Sequence, residues 1–321
     1  MQLPSLTIGS RTSRLAIIQG GMAVRISLAP LAAAVANEGG IGVIAGTGLT
    51  PDEMRAEVRR AREMTDGILG VNVMVAIRSY KEVVTAALEA GIDILICGAG
   101  FSRDVFDWCR EAGTEMVPVV GSVQAARLSE RLGASAVVVE SVEAGGHLGT
   151  DLVLDELMPP IIEAVDIPVI GAGNIVTGAD IAHVLSMGAA GVQMGTRFAA
   201  TVECSAADSF KQRYVEATEE DVVLIQSPVG LPGRAVRTPF VEELEAGRAQ
   251  RIESCRVCLK KCGKDFCIVT KLEEAQRGDI EHGLVFAGSS VTRVNDILTV
   301  HDLVERLTRE YDEATRAKEP A

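Results

Sequence analysis

The sequence predicts a parallel α/β protein closed into a (β/α)8 barrel. Three observations carry that expectation: eight short apolar runs recur between about residues 15 and 200, glycines punctuate them, and a longer amphipathic stretch follows each. Strands covered on both faces read as unbroken apolar runs, and regular alternation with helices places them parallel. Eight such units close most simply into a barrel. The rival, a doubly wound open sheet, would carry G-x-G-x-x-G after its first strand, and that stretch has no such motif.

In chain order the strand runs are Leu15 to Ile18, Ile41 to Ile44, Leu69 to Met74, Ile92 to Ile96, Met116 to Val120, Ala136 to Val139, Pro168 to Ile170 and Ala190 to Met194. Helix signals fill the gaps. Thr50-Pro51-Asp52-Glu53 supplies an N-cap, a proline at the first helical position and the glutamate of a capping box. Val83, Val84, Ala87 and Leu88 share one helical face before Gly91, and Ile181, Val184 and Leu185 repeat that design before Gly188. Residues 1–200 are thus read as the barrel. Residues 201–321 follow a less regular grammar and are read as a lid and C-terminal extension packed on it. The extension holds the Pro/Gly-rich loop Ser227 to Arg234, a cysteine cluster, and a last helix with Ile297, Leu303, Val304 and Leu307 apolar. It covers the barrel mouth or serves an oligomer contact, a homodimer being the assembly considered.

Composition narrows the partners. A net charge of −13 opposes nucleic acid and anionic membrane surfaces, which bind chiefly through Lys and Arg. No apolar segment reaches membrane-span length, and the N-terminus lacks a signal-peptide pattern. The expected setting is cytoplasmic and the expected partner a small-molecule substrate. A hydrophobic share of 47% with only 3% aromatic points to a core of Ala, Val, Ile and Leu.

Barrel chemistry gathers where strands end. There the chain places Gly20-Gly21-Met22, Asn72, Glu140, Gly145-Gly146-His147, Gly171-Ala172-Gly173-Asn174 and Gly195-Thr196. Loops 7 and 8 of such barrels hold phosphate on backbone amides and a helix N-terminus, so Gly171 to Gly173 and Gly195-Thr196 imply a phosphate-bearing ligand. Flavin mononucleotide (FMN) fits, its ring lying against Gly20 to Met22 and Asn72; a phosphosugar substrate fits as well. Of four histidines, only His147 sits in a glycine-rich loop directly after a buried strand. His183 belongs to a helical pattern, and His282 and His301 lie in the polar tail. An imidazole with an ordinary pKa near 6.5 exchanges protons at neutral pH, which makes His147 the candidate catalytic residue.

The segments Ile18 to Met22, Glu38 to Gly42, Gly70 to Asn72, Glu143 to His147, Gly171 to Asn174, Met194 to Phe198 and Ser227 to Ala235 resemble the nitronate monooxygenase family, formerly called 2-nitropropane dioxygenases, which includes the flavin-dependent enoyl-ACP reductases. The resemblance spans nearly the whole chain in the family's order. It implies an FMN barrel in which Gly21-Met22, Asn72, Glu140, Gly145-Gly146, Gly171 to Gly173 and Gly195-Thr196 touch the cofactor and His147 faces flavin and substrate. It leaves two chemistries open, oxidation of nitronates with O2 and NAD(P)H-dependent reduction of an enoyl thioester.

Cys255-x2-Cys258-x3-Cys262-x4-Cys267 places four thiols within thirteen residues, beside Arg256, Lys260, Lys261 and Lys264. Such spacing suits tetrahedral zinc or an iron–sulfur cluster, and equally free thiols. A bound metal would open a third reading, a non-catalytic metal or redox sensor. Cys97, Cys109 and Cys204 read as core or strand-end thiols.

Overall fold

A computed structural model describes residues 2–248, 252 and 255–317. A short hairpin, β1 (Leu6–Ile8) and β2 (Arg11–Ser13), precedes the barrel. The barrel then runs β3 (Ile17–Gln19), α1 (Ala29–Asn37), β4 (Gly42–Ala45), α2 (Pro51–Met64), β5 (Leu69–Met74), α3 (Tyr80–Glu89), β6 (Ile94–Gly98), α4 (Asp104–Ala112), β7 (Glu115–Val120), α5 (Val123–Arg131) and β8 (Val137–Glu140). A two-residue strand, β9 (Gly146–His147), interrupts the alternation before α6 (Leu154–Ile162), β10 (Val169–Ala172), α7 (Gly178–Ser186), β11 (Gly191–Met194) and the short α8 (Thr196–Ala199). Every predicted strand run appears, its ends moved by no more than two residues.

The eight strands pair in parallel in the order β3-β11-β10-β8-β7-β6-β5-β4. Closure between β3 and β4 rests on the parallel bridge Ile18 to Ile41, with the Ile41 amide donating to the Ile17 carbonyl at 2.9 Å and the Gln19 amide to the Ile41 carbonyl at 3.0 Å. Gln19, fully buried, adds a side-chain strut: its Oε1 accepts from the Val43 amide at 3.0 Å and its Nε2 donates to the Gly20 carbonyl. The molecule is therefore a (β/α)8 TIM barrel. Leu6 and Ile8 of the hairpin join Ile18, Ile41, Val43, Ile96, Val138 and Ile170 in one buried cluster, so the N-terminal hairpin packs into the barrel core.

The helix signals hold locally. Thr50 Oγ1 accepts from the Glu53 amide and the Glu53 carboxylate accepts from the Thr50 amide, while Gly91 and Gly188 adopt φ of +82° and +100° just beyond their helices.

Beyond the barrel come α9 (Asp208–Val215), β12 (Val222–Gln226), β13 (Pro232–Val236), α10 (Pro239–Glu245), α11 (Ile268–Gln276), β14 (Val285–Phe286) and α12 (Val300–Arg316). Sequence periodicity did not show β12, β13 and β14, which form an antiparallel sheet with β9. Through β9, β13 pairs Gly233 with His147 and Arg234 with Gly146. The extension is thus hydrogen-bonded to the very loop that carries His147. Helix α12 packs back on α7 and α1, burying Leu303, Val304 and Leu307. No helix among the described residues is long and apolar enough to cross a membrane.

Candidate active site

The C-terminal ends of the strands open into one cavity of ≈ 660 Å³. Its lining contains Gly20, Gly21 and Met22 after β3, Asn72 in β5, Glu140 at the end of β8, Gly145, Gly146 and His147, Ala172 to Asn174 after β10, and Gly195 and Thr196 after β11. Gly171 corrects the expectation. It does not line the cavity but faces the helices, where a Cβ would stand 2.7 Å from Val184 Cγ1 and 3.2 Å from Met158 Sδ. Strand alternation explains this, since neighbours along β10 face opposite sides of the wall. Gly173 has a different reason to be glycine: its φ is +112°, and a Cβ would lie 2.3 Å from Ser141 Oγ. The backbone there is bent toward the cavity in a way other residues resist.

One row of the floor carries two polar side chains. Glu140 on β8 and Gln193 on β11 both register opposite Ala172 of β10, and both line the cavity. Desolvation by burial pushes the Glu140 carboxyl up to about 7, because it disfavours the charged form. Among the described residues, Gln193 Oε1 is buried with no hydrogen-bond partner. A buried acceptor aimed at a cavity in this way calls for a donor from whatever fills it. Gln193 was concealed in the sequence inside an apolar run.

His147 stands on β9, held by backbone pairing to β13 and, through the next residue, by the Leu148 amide donating to the Pro232 carbonyl at 2.9 Å. Its Nε2 lies 2.8 Å from Ser227 Oγ, and the Phe286 ring meets it edge-on with centroids 5.3 Å apart. Burial drives its pKa down to about 4. The imidazole is therefore neutral at physiological pH. The other histidines are surface groups within hydrogen-bond distance of the carboxylates of Asp155 (His183), Asp279 (His282) and Glu38 (His301).

The loop is braced around them. Glu143 Oε2 accepts from the Leu154 amide at 3.0 Å, and the Glu143 carbonyl accepts from the Ser289 amide at 2.9 Å. Thr196 Oγ1 accepts from the Gly288 amide at 2.9 Å, which leaves its own hydroxyl proton for another partner.

The cysteine segment forms part of the cavity mouth. Leu259 bridges to Ile77, the Arg78 amide donates to the Cys258 carbonyl at 2.8 Å, and the Lys260 amide to the Ala76 carbonyl at 2.9 Å. Arg256, Cys258 and Leu259 line the opening beside Arg78 and Ser79. Cys255 is exposed, and Cys258, Cys262 and Cys267 are half-buried free thiols. Among the described residues no three His, Cys, Asp or Glu side chains come together as a metal site. The metal or cluster expected from the spacing is not what this geometry builds. Burial pushes the pKa of the Cys258 thiol up, and the thiols of Cys267, Cys262 and Cys255 still lie near enough for their charges to add to that shift.

The sequence signature of the nitronate monooxygenase family matches residues 7–84 and 74–310. The chain belongs to the nitronate monooxygenase family. Proteins similar to it include a Mycobacterium tuberculosis protein named (3aS,4S,5R,7aS)-5-hydroxy-7a-methyl-1-oxo-octahydro-1H-indene-4-carboxyl-CoA dehydrogenase, 33% identical over 251 residues that cover 77% of this chain and 70% of that one. Among solved structures, FabK from Thermotoga maritima superposes with a TM-score of 0.85 at 33% identity over 94% of both chains. Nitroalkane oxidase from Streptomyces ansochromogenes superposes with a TM-score of 0.82 at 28% identity, covering 95% of this chain and 98% of that one. This family member is an oxidoreductase enzyme.

Proposed function

We propose that the cavity holds FMN and that the enzyme oxidises nitronates or similar small substrates with O2. The observation that carries this reading is the floor: a strand-end cavity with a glycine cradle at Gly173, an orphaned acceptor on Gln193, a Glu140 carboxyl that holds its proton up to about pH 7 and a spare hydroxyl proton on Thr196. That set suits a flat heterocycle bearing both N–H donors and ring acceptors, with a phosphate at one end. Gly173, Asn174, Gly195 and Thr196 would hold the phosphate. Gly20 to Met22, Asn72, Glu140, Ala172 and Gln193 would hold the ring, and Gly145-Gly146 would let it lie beneath His147. FMN, when bound, supplies the two-electron redox chemistry.

His147 then acts on the substrate. With its pKa near 4 it is a weak base for drawing a proton from a nitroalkane carbon, but a neutral imidazole is a good hydrogen-bond donor. The geometry therefore favours a preformed nitronate anion, its oxygens steadied by the ring N–H. Phe286 packs edge-on against the imidazole, and β13 pairs with the strand that carries it.

A second reading, NAD(P)H-dependent reduction of an enoyl thioester, is favoured by the mouth. Arg78 and Arg256 line it and suit a substrate with a phosphate-bearing tail, and the Mycobacterium tuberculosis relative is named for a CoA ester. Anaerobic mixing separates the two. Bleaching of the flavin absorbance by propyl-2-nitronate, with no nicotinamide present, is the expected result. Bleaching only by NADH or NADPH, reversed by an enoyl thioester, would establish the second reading instead.

A further inference from the structure

The hydroxyl nearest His147 comes from outside the barrel. Ser227 begins the loop between β12 and β13, and it is buried. Ser227-Pro228-Val229-Gly230 forms a tight turn in which the Gly230 amide donates to the Ser227 carbonyl at 2.9 Å. Proline at the second position and Gly230 at φ +88° suit that turn. The Val229 amide, two residues on, donates to Ser227 Oγ at 3.3 Å, fixing the side chain over its own turn.

A hydroxyl has one proton. The described structure gives Ser227 Oγ two partners, the Val229 amide and His147 Nε2. The amide can only donate to it. Were Nε2 also to carry a proton, Oγ would accept twice and its own buried hydrogen would point at no acceptor, a loss protein interiors avoid. The arrangement that satisfies every group has Ser227 donating to Nε2.

We propose that Ser227 is a positioning residue for His147, delivered by the lid sheet, which holds the imidazole as the neutral tautomer protonated on Nδ1. This rests on the reading of His147 as the group that meets substrate. Its consequence is that Nδ1–H is the ring's one donor, so the lid as well as the barrel defines how the histidine presents itself. Three charged groups lie around the loop. Glu143 takes the Leu154 amide, Arg234 donates to the Val142 carbonyl at 2.8 Å, and Glu140 lies in the strand-end floor. No ion pair to the ring is found among the described residues.

The test is nitrogen NMR of protein labelled with ¹⁵N-histidine at pH 7.5, the His147 signals being assigned by their loss in His147→Ala. In the parent protein Nε2 is expected at the shift of an unprotonated nitrogen and Nδ1 at that of a protonated one. Ser227→Ala should move Nε2 toward the protonated shift, and Ser227→Thr should restore the parent pattern. Unchanged signals from the other three histidines show that each variant is folded. With substrate, Ser227→Ala should lower kcat about tenfold, a readout in which loss of orientation is separable from loss of binding. A parent spectrum with Nε2 protonated, or a folded Ser227→Ala variant with the parent pattern, overturns the proposal. His147→Ala with undiminished turnover would instead remove the catalytic reading of the histidine, a separate outcome from the tautomer measurement.

Discussion

At the scale of single residues, the cavity sets two titrations with opposite signs. Burial raises the Glu140 pKa to about 7 from an ordinary 4.5, so between those values the folded protein holds a proton that the unfolded chain has released. Glu140 therefore costs stability increasingly as pH rises through that window, by at most about 3 kcal/mol above it. Glu140→Gln should match the parent in thermal melts of flavin-free protein near pH 4.5 and become the more stable of the two by pH 8. A difference that is the same at both pH values would show that the carboxyl is not desolvated as described. His147 works the other way: its pKa of about 4 makes the native state lose stability as pH falls below 6.5 toward 4. In catalysis, His147→Ala should keep flavin bound and lower turnover by about 10². Wild-type turnover from that variant would reduce His147 to a structural role. His147 was legible in the sequence because glycines flank it after an apolar strand. Gln193 and Ser227 were not, since the first lies within a strand run and the second acts only through a fold-made contact 80 residues away.

At the scale of elements, the barrel strands and several helix ends were readable, because apolar runs and capping residues act locally. The antiparallel sheet of β9, β12, β13 and β14 was not. β9 and β14 are only two residues long, β13 opens on Pro232-Gly233, and the apolar run of β12 lies outside the repeating strand-helix grammar of the barrel. Helix α12 was read from its apolar face, but its docking site on α7 depends on one position. A Cβ on Gly178 would stand 2.2 Å from the Leu307 carbonyl oxygen and 2.3 Å from the Tyr311 nitrogen, both backbone atoms of α12. Gly178→Ala must push the last helix outward, uncovering Leu303 and Leu307. A loss of about 1 to 3 kcal/mol in denaturant unfolding is expected. An unchanged midpoint would mean that α12 contributes little to holding the barrel.

At the scale of the whole molecule, the sequence conveyed the barrel because eight repeated units admit few arrangements. It did not convey the three-dimensional fate of the cysteines, which depends on pairing between residues far apart in the chain. The structure orders their reactivity. Cys255 is exposed and should be modified first by a thiol reagent, whereas burial pushes the thiols of Cys97 and Cys109 up to about 12 and that of Cys204 up to about 11. Those three should react only on unfolding. Early labelling of Cys97 in folded protein would contradict the packing described. The central claim concerns what the strand ends hold, and it is tested by the visible spectrum and released cofactor of the purified protein. The account predicts a yellow protein carrying one FMN per chain, lost when Gly173 is replaced by valine, since that side chain would collide with Ser141 and distort the cradle. A colourless, folded protein that takes up no FMN on reconstitution would contradict it.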